Sequence, residues 1–414
     1  MAPITPFKIS IPDSRLQRLQ QKLALTNFPN ELEVLDSASD KEPWPRGVPL
    51  SEIKRLTTYW KEHFDWRKVE ARLNKELPQY TTDIEIDGFG SYNMHFVHQR
   101  SDAAVAADGE PAIPLLFLHG WPGSFIEVSK ILHLLVNGEE DRISFHVVAP
   151  SLIDFGFSDG SRSRSFGLNQ HAEAYHKVML GLGYEEYVIQ AGDLGYVISR
   201  LMTSKYGATH IKALHTNSAV PAEPTAESHP ELYTELENEP LSDFDKSGLA
   251  RTASFSKDTM GYVALLTTRP QTIGYSLTDS PVGLLGWIYE KLHDRTDGYP
   301  WTDEEILTWA CIHYFSRSGP AALGNLYFAL ERDSTVPGHP FAVVQGYIPD
   351  VPLGISRFAK DLILLPKAWN RTLGLVVLQR EHERGGHFGA WECPREIVRD
   401  LKGLVKEAKV WMIK

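Results

Sequence analysis

Cysteine is scarce in this chain: Cys311 and Cys393 are the two it has. Two cysteines cannot make a disulfide framework or a cysteine-based zinc site, and a reducing compartment, the cytoplasm, is the simplest reading. Long hydrophobic runs are missing as well. No stretch of ~18 apolar residues occurs, so no membrane-spanning helix is expected. The start, Met1-Ala2-Pro3-Ile4-Thr5-Pro6, lacks the apolar segment of a secretory leader. The end, Trp411-Met412-Ile413-Lys414, matches no prenylation or retention address. Without a leader, the sequon Asn370-Arg371-Thr372 reads as chance. Positive charge is in deficit: 42 Lys and Arg against 53 Asp and Glu leave −11, a poor balance for gripping nucleic acid or anionic lipid. No repeat and no low-complexity tract is visible. What remains is ordinary: 42% apolar and 23% charged residues over 414 positions, enough to bury a large core and too apolar for wholesale disorder.

The chain divides by pattern. Residues 1–80 form an N-terminal arm rich in Pro and Trp. Within it Asp13 to Leu25 reads as a capped helix, with Leu16, Leu19 and Leu23 on one face, and Ser51 to Leu73 as a second helical stretch. Between them Glu42-Pro43-Trp44-Pro45-Arg46-Gly47-Val48-Pro49 cannot be regular. Residues 81–220 read as the first part of an α/β core. Ile84 and Ile86, then Met94 and Phe96, alternate with polar residues around Asp87-Gly88-Phe89-Gly90, which predicts a hairpin. Short apolar runs follow at Ile113–Leu118, Phe145–Ala149, Tyr187–Gln190 and Ile211–His215, with helical stretches between them. Residues 221–335 carry helical patterns and no strong strand, and read as a helical lid. Residues 336–414 complete the core with strands at Leu353–Phe358 and Leu375–Leu378. Together these predict a mostly parallel eight-stranded sheet with helices on both faces.

Three constellations carry chemistry. His119-Gly120-Trp121-Pro122-Gly123-Ser124 directly follows the run Pro114–Leu118, so its backbone N–H groups sit at the C-terminal edge of a parallel strand, where ligands bind. Tyr187-Val188-Ile189-Gln190-Ala191-Gly192-Asp193-Leu194-Gly195 runs from a buried strand through a small-residue turn into a helix, the context of a nucleophile elbow. Its tip is Asp193, with a helix N-terminus behind it to favour the ionised form. The plainer reading of Asp193 is an N-cap. The third, Glu383-Arg384-Gly385-Gly386-His387-Phe388, follows the last strand, where a base comes last in chain order. Gly385-Gly386 breaks any helix that could align His382 with His387 as metal ligands. An orienting acid belongs after the preceding strand, and Asp361 is there, whereas Asp350 sits before that strand. Gly156-Phe157-Ser158-Asp159-Gly160 matches G-x-S-x-G literally, but no helix follows it, so Ser158 is a decoy.

An aspartate nucleophile restricts the reaction. A serine attacking an alkyl carbon would leave an ether that water does not readily cleave. A carboxylate leaves an ester, which a His-activated water hydrolyses at the carbonyl. An Asp–His–Asp set therefore reads as hydrolysis of an epoxide or a haloalkane. Backbone N–H groups of Trp121 and Leu194 are the oxyanion-hole candidates for the second step. An epoxide oxygen needs a proton donor such as tyrosine, and 221–335 offers Tyr262, Tyr275, Tyr289, Tyr299, Tyr314 and Tyr327 without choosing among them.

These residues resemble the epoxide hydrolases of the microsomal type, most of all their soluble fungal members, over nearly the whole chain. The resemblance rests on the arm, the His119–Ser124 loop, the elbow at Asp193, the stretch Arg269-Pro270-Gln271-Thr272-Ile273-Gly274-Tyr275-Ser276-Leu277-Thr278-Asp279-Ser280-Pro281-Val282-Gly283-Leu284 and Arg384-Gly385-Gly386-His387-Phe388. It implies an α/β-hydrolase fold and conversion of an epoxide plus water to a vicinal diol. It implies Asp193 as nucleophile, His387 as base, Asp361 as orienting acid, and Tyr262 and Tyr327 as the oxygen-binding acids. It also implies a Trp121-Pro122 bond that is commonly cis, no cofactor, no metal, no nucleic-acid partner, and a homodimer. The membrane anchor of mammalian members has no counterpart here. Two departures stand out: Tyr196 where the family usually has Gly or Ser, and Ile153-Asp154 where it usually has Pro-Gly. A haloalkane dehalogenase using the same set, a serine esterase at Ser158 and a non-catalytic binding protein are the alternatives.

Overall fold

The computed structural model describes residues 2–31, 44–101, 112–138, 143–332 and 340–410. Glu42, Pro43, the lid boundary at 335 and the chain end at 411–414 lie outside them. Alternation governs the hairpin. Strands β2 (Gln79–Ile86) and β3 (Gly90–Gln99) pair antiparallel and bury Ile84, Ile86, Met94 and Phe96. The continuous apolar runs become β4 (Ile113–Leu118), β5 (Phe145–Pro150), β6 (Tyr187–Ala191) and β7 (Ile211–Thr216). Strands β8 (Ile348–Phe358) and β9 (Gly374–His382) complete the set. Every residue of β6 is buried, as expected for a strand covered on both faces.

The sheet has nine strands where eight were expected. The added one, β1 (Thr5–Phe7), pairs antiparallel with β2 at the edge. Three residues around Pro6 are too few for a period-two pattern, and a proline is tolerated on an edge strand. The order is β1-β2-β3-β5-β4-β6-β7-β8-β9, parallel from β5 through β9. The stretch Ser51–Leu73 proves to be two helices, Leu50–Glu62 and Trp66–Glu76. Asp65 caps the second, its side chain accepting from the N–H groups of Arg67 at 2.9 Å and Lys68 at 3.4 Å. Strand β8 begins earlier than expected, so Asp350 lies inside it, near its N-terminal end.

Between β7 and β8 the described residues form helices and no strand. Local chemistry starts several of them. Ser280 caps the helix Pro281–Asp294 by accepting from Gly283 N–H at 2.9 Å, with Pro281 in the first turn. Thr302 and Glu305 cap Asp303–Tyr314 reciprocally. This helical layer packs over the C-terminal edge of the parallel strands, the edge from which the loops after β4, β6, β8 and β9 emerge. No helix among the described residues is long and apolar enough to cross a membrane.

Candidate active site

Asp193 follows β6 directly and adopts φ 49°, a left-handed conformation that costs a non-glycine residue roughly 1–2 kcal/mol. The helix Asp193–His210 starts there, with Gly192 as its N-cap, so Asp193 is not the cap itself. The turn is tight because its neighbours are small. A Cβ at Gly195 would lie 2.5 Å from the Leu118 carbonyl oxygen, and one at Gly120 would overlap the Asp193 side chain. The Trp121-Pro122 peptide is cis.

This approach brings four loops together. Trp121 N–H donates to Asp193 Oδ1 at 2.7 Å. His387 Nε2 lies 3.2 Å from Asp193 Oδ2, and its Nδ1 lies 2.8 Å from Asp361 Oδ1. Asp361 is fixed in turn by the Leu362 N–H at 2.7 Å. The His387 loop is anchored from both sides: its N–H donates to the Arg295 carbonyl at 2.8 Å, and its own carbonyl accepts from Asn217 Nδ2 at 3.1 Å. Leu194 lines the cavity beside Asp193, and its N–H is among the free donors of a helix's first turn.

The charges reinforce one another. Burial alone would lower the His387 pKa, but hydrogen bonds and charge from Asp193 and Asp361 outweigh it and raise it to about 9. Burial alone would raise Asp193, yet the His387 hydrogen bond and charge, the Arg295 cation and the Trp121 N–H hold it below the usual carboxylate range. Asp193 is therefore an ionised carboxylate facing a protonated imidazole at neutral pH.

Tyr262 and Tyr327 are the two tyrosines of the helical segment that line a cavity of about 150 Å³ with Asp193, Asp361 and His387. Their rings pack edge to face at 6.0 Å, and Tyr262 stacks on Trp121 at 4.7 Å. Burial pushes the Tyr327 phenol well above its ordinary value, so it keeps its proton. The other tyrosines lie elsewhere: Tyr275 is exposed, Tyr289 packs on Trp44, Tyr299 bonds Glu305, and Tyr314 packs on Phe315. The rest of the cavity wall is mainly apolar, including Val197, Val220, Phe255, Leu330 and Ile363.

On the other side of Asp193 lies a second space of about 20 Å³, lined by Gly120, Trp121, Glu127, Asn217 and His387. One water molecule needs about 10–15 Å³ on this scale. Burial raises the Glu127 carboxyl to about 8, so it is a neutral acid near neutral pH. Sequence reasoning missed Glu127 because Ser124-x-x-Glu127 reads as an ordinary capping pair. It also missed Asn217 and the buried Arg295, for which no local motif exists.

Ser158 is fully buried; its Oγ donates to the Ser151 carbonyl at 2.8 Å and accepts from His95 N–H at 3.0 Å. His382 bonds Asp400 at 2.5 Å. Of the two departures, Tyr196 is buried and lines the apolar cavity. Asp154 takes φ 76°, and its Oδ1 accepts from Ser161 N–H at 2.8 Å and Asn325 Nδ2 at 3.0 Å. Asn325 opens the short helix that carries Tyr327.

Comparison with known proteins bears on the family and the fold. The family described as Epoxide hydrolase N terminus matches residues 4–128, and the alpha/beta hydrolase fold matches residues 113–265. The crystal structure of Aspergillus niger epoxide hydrolase is 35% identical, covers 98% of this chain and 97% of that one, and superposes with a TM-score of 0.78. Epoxide hydrolase 1 of Oryctolagus cuniculus is 29% identical over 96% of this chain and 88% of its own length. The juvenile hormone epoxide hydrolase of the silkworm Bombyx mori, 24% identical, shares the fold with a TM-score of 0.84 over 99% of this chain and 96% of that one.

Proposed function

The chain belongs to the epoxide hydrolase family, and from that premise we propose that it opens an apolar epoxide on Asp193 and hydrolyses the resulting ester with His387. The observation that carries this is one carboxylate with two differently engaged oxygens. Asp193 Oδ1 accepts the Trp121 N–H, and Oδ2 faces His387, beside a cavity that holds two tyrosines.

In the first step an Asp193 oxygen attacks a ring carbon and the carbon–oxygen bond breaks. Tyr262 or Tyr327 gives its proton to the departing oxygen, and the other holds that oxygen by a hydrogen bond. The product is an alkyl ester of Asp193. Its formation removes the Asp193 charge, one of the two carboxylates that keep His387 protonated. The His387 pKa falls from about 9, its proton passes through solvent to the phenolate left by ring opening, and the imidazole becomes a base only after the ester exists. In the second step His387, oriented by Asp361, takes a proton from water, and hydroxide attacks the ester carbonyl. Negative charge on that carbonyl oxygen is met by N–H groups of Trp121 and Leu194. On collapse the ester's alkyl oxygen leaves with a proton from the imidazolium, which releases the diol, and the acid proton left on Asp193 returns to His387 to restore the ion pair. Glu127 and Asn217, lining the small space beside Asp193, would hold the water.

The reading extends to organisation. Residues 1–80 serve as an arm, 221–335 as a lid, and 81–220 with 336–414 as the core. Two buried, unpaired cysteines support a cytoplasmic setting. The resemblance supports a second copy of the chain as partner. The mechanism is tested by single turnover in ¹⁸O-water with enzyme in excess over styrene oxide. Ester hydrolysis leaves the label in the Asp193 carboxylate and none in the first diol. Label in the first diol would mean direct attack by water and would overturn the mechanism.

A further inference from the structure

We infer that Arg295 is a positioning residue for ring opening: its guanidinium lies against the Tyr262 ring and favours the negative charge that this phenol takes on as it gives up its proton. The inference rests on the proposed acid role of Tyr262. Arg295 follows the helix Pro281–Asp294 and is 2% exposed. Its Cζ lies 4.7 Å from the Tyr262 ring centroid and 5.0 Å from that of Trp121, the two rings being stacked. Nη1 donates to the Trp121 carbonyl at 3.2 Å, and Nη2 is buried without an acceptor among the described residues.

A buried guanidinium is normally neutralised by a carboxylate, because leaving the charge unpaired is costly. Among the described residues none closes an ion pair with Arg295. Lys291 gives the contrast: its ammonium also lies over the Tyr262 ring, at 4.8 Å, but is bonded to Glu290. The Arg295 charge is therefore the one free to respond to the site. Ring opening conserves total charge while moving it from Asp193 towards the epoxide oxygen and its phenol donor. A fixed cation on the tyrosine side favours that transfer. The phenol takes no part in ester hydrolysis, so whatever Arg295 does through Tyr262 is confined to ring opening, while its attraction to the Asp193 charge acts in both steps.

The test separates charge from propping. Arg295→Gln keeps a donor for the Trp121 carbonyl and removes the charge; Arg295→Lys keeps the charge. Rapid-quench single turnovers with styrene oxide, followed by intact mass, give the ester-forming and ester-hydrolysing rates separately. Arg295→Gln is expected to slow ester formation about 10- to 30-fold, the range of a desolvated cation–π contact, and to slow hydrolysis less. Arg295→Lys should keep ester formation within about threefold, and the Arg295→Gln effect should vanish in a Tyr262→Phe background. A purely structural role would slow both steps alike, or add to Tyr262→Phe, and either result overturns the inference, as does ester formation in Arg295→Gln at the parent rate. If Tyr262→Phe alone leaves ester formation unchanged, it is the acid role of Tyr262 that fails.

Discussion

Replacing His387 with glutamine should turn this enzyme into a trap for its own intermediate. The imidazole takes no part in ring opening; its Nε2 sits 3.2 Å from Asp193 Oδ2, a position from which a glutamine amide can also donate. The buried Trp121 N–H at 2.7 Å still holds the other oxygen and the Arg295 cation still favours its charge, so Asp193 remains aimed. Ester formation should proceed within about tenfold of the parent rate, the loss reflecting one weakened hydrogen bond of about 1 kcal/mol. Hydrolysis loses its base, and a positioned base accounts for about 10²- to 10⁴-fold, or about 3–5 kcal/mol of barrier. The ester therefore outlives its formation by orders of magnitude and accumulates towards one per chain. Intact-protein mass spectrometry after mixing with styrene oxide should show a gain equal to the whole epoxide, because ring opening expels nothing, and peptide mapping should locate it on Asp193. A haloalkane would instead add its mass less that of the hydrogen halide. Undiminished diol release without any adduct, or an adduct on another residue, would refute the reasoning.

Two further outcomes follow from buried groups outside the reacting pair. Ser158→Ala should leave diol formation within about twofold while lowering stability by about 1–3 kcal/mol, since it strands the His95 N–H in the core; comparison of initial rates with thermal unfolding checks both halves, and loss of activity in a folded variant would revive the esterase reading. Glu127, raised to about 8 by burial, weakens the fold as pH climbs from its ordinary 4.5 through 8, because the unfolded chain ionises there while the folded chain must keep the proton. His387 adds a loss of its own, its stabilisation being full below 6.5 and gone above about 9. Unfolding free energies from urea titration should therefore nearly match for parent and Glu127→Gln at pH 5 and favour Glu127→Gln at pH 9 by several kcal/mol, with about 5 kcal/mol as the ceiling; equal values at pH 9 would remove the buried acid from the account.

Much of this architecture is written locally in the chain. Continuous apolar runs identify β4 to β7, and the alternation of Ile84, Ile86, Met94 and Phe96 identifies the hairpin. Asp193, His387 and Asp361 were legible because each follows a strand, and a parallel sheet gathers all such positions at one edge. β1 was not legible because three residues beside a proline hold no period. The break at Asp65 was hidden by an apolar rhythm that continues across both helices. Tyr262 and Tyr327 could be singled out only by resemblance: their positions depend on how helices far apart in sequence fold over the sheet, and the tyrosines of 221–335 look alike in the chain. Glu127 and Arg295 were illegible for a stronger reason. A buried unpaired acid and a buried unpaired cation violate what composition leads one to expect, and only their surroundings reveal them.

The two serine- and aspartate-centred loops show why context outweighs spelling. Gly156-Phe157-Ser158-Asp159-Gly160 carries the glycines of an elbow, yet Gly156 itself takes the left-handed conformation, φ 50°, and Ser158 turns inward to bond backbone. At the turn after β6 the left-handed residue is Asp193, whose side chain is thereby driven away from the strand and into the cavity. Asp154, at φ 76°, makes the same expensive choice for a different end. Its carboxylate crosses from the loop after β5 to Asn325, two positions before Tyr327, and so ties the helical layer to the sheet beside the oxygen-binding side of the cavity. A glycine there, as in the family's usual Pro-Gly, would relieve the strain and lose the tie. The departure at Ile153-Asp154 therefore bears on how firmly Tyr327 is held, while Asp193 on the other side of the cavity is left untouched.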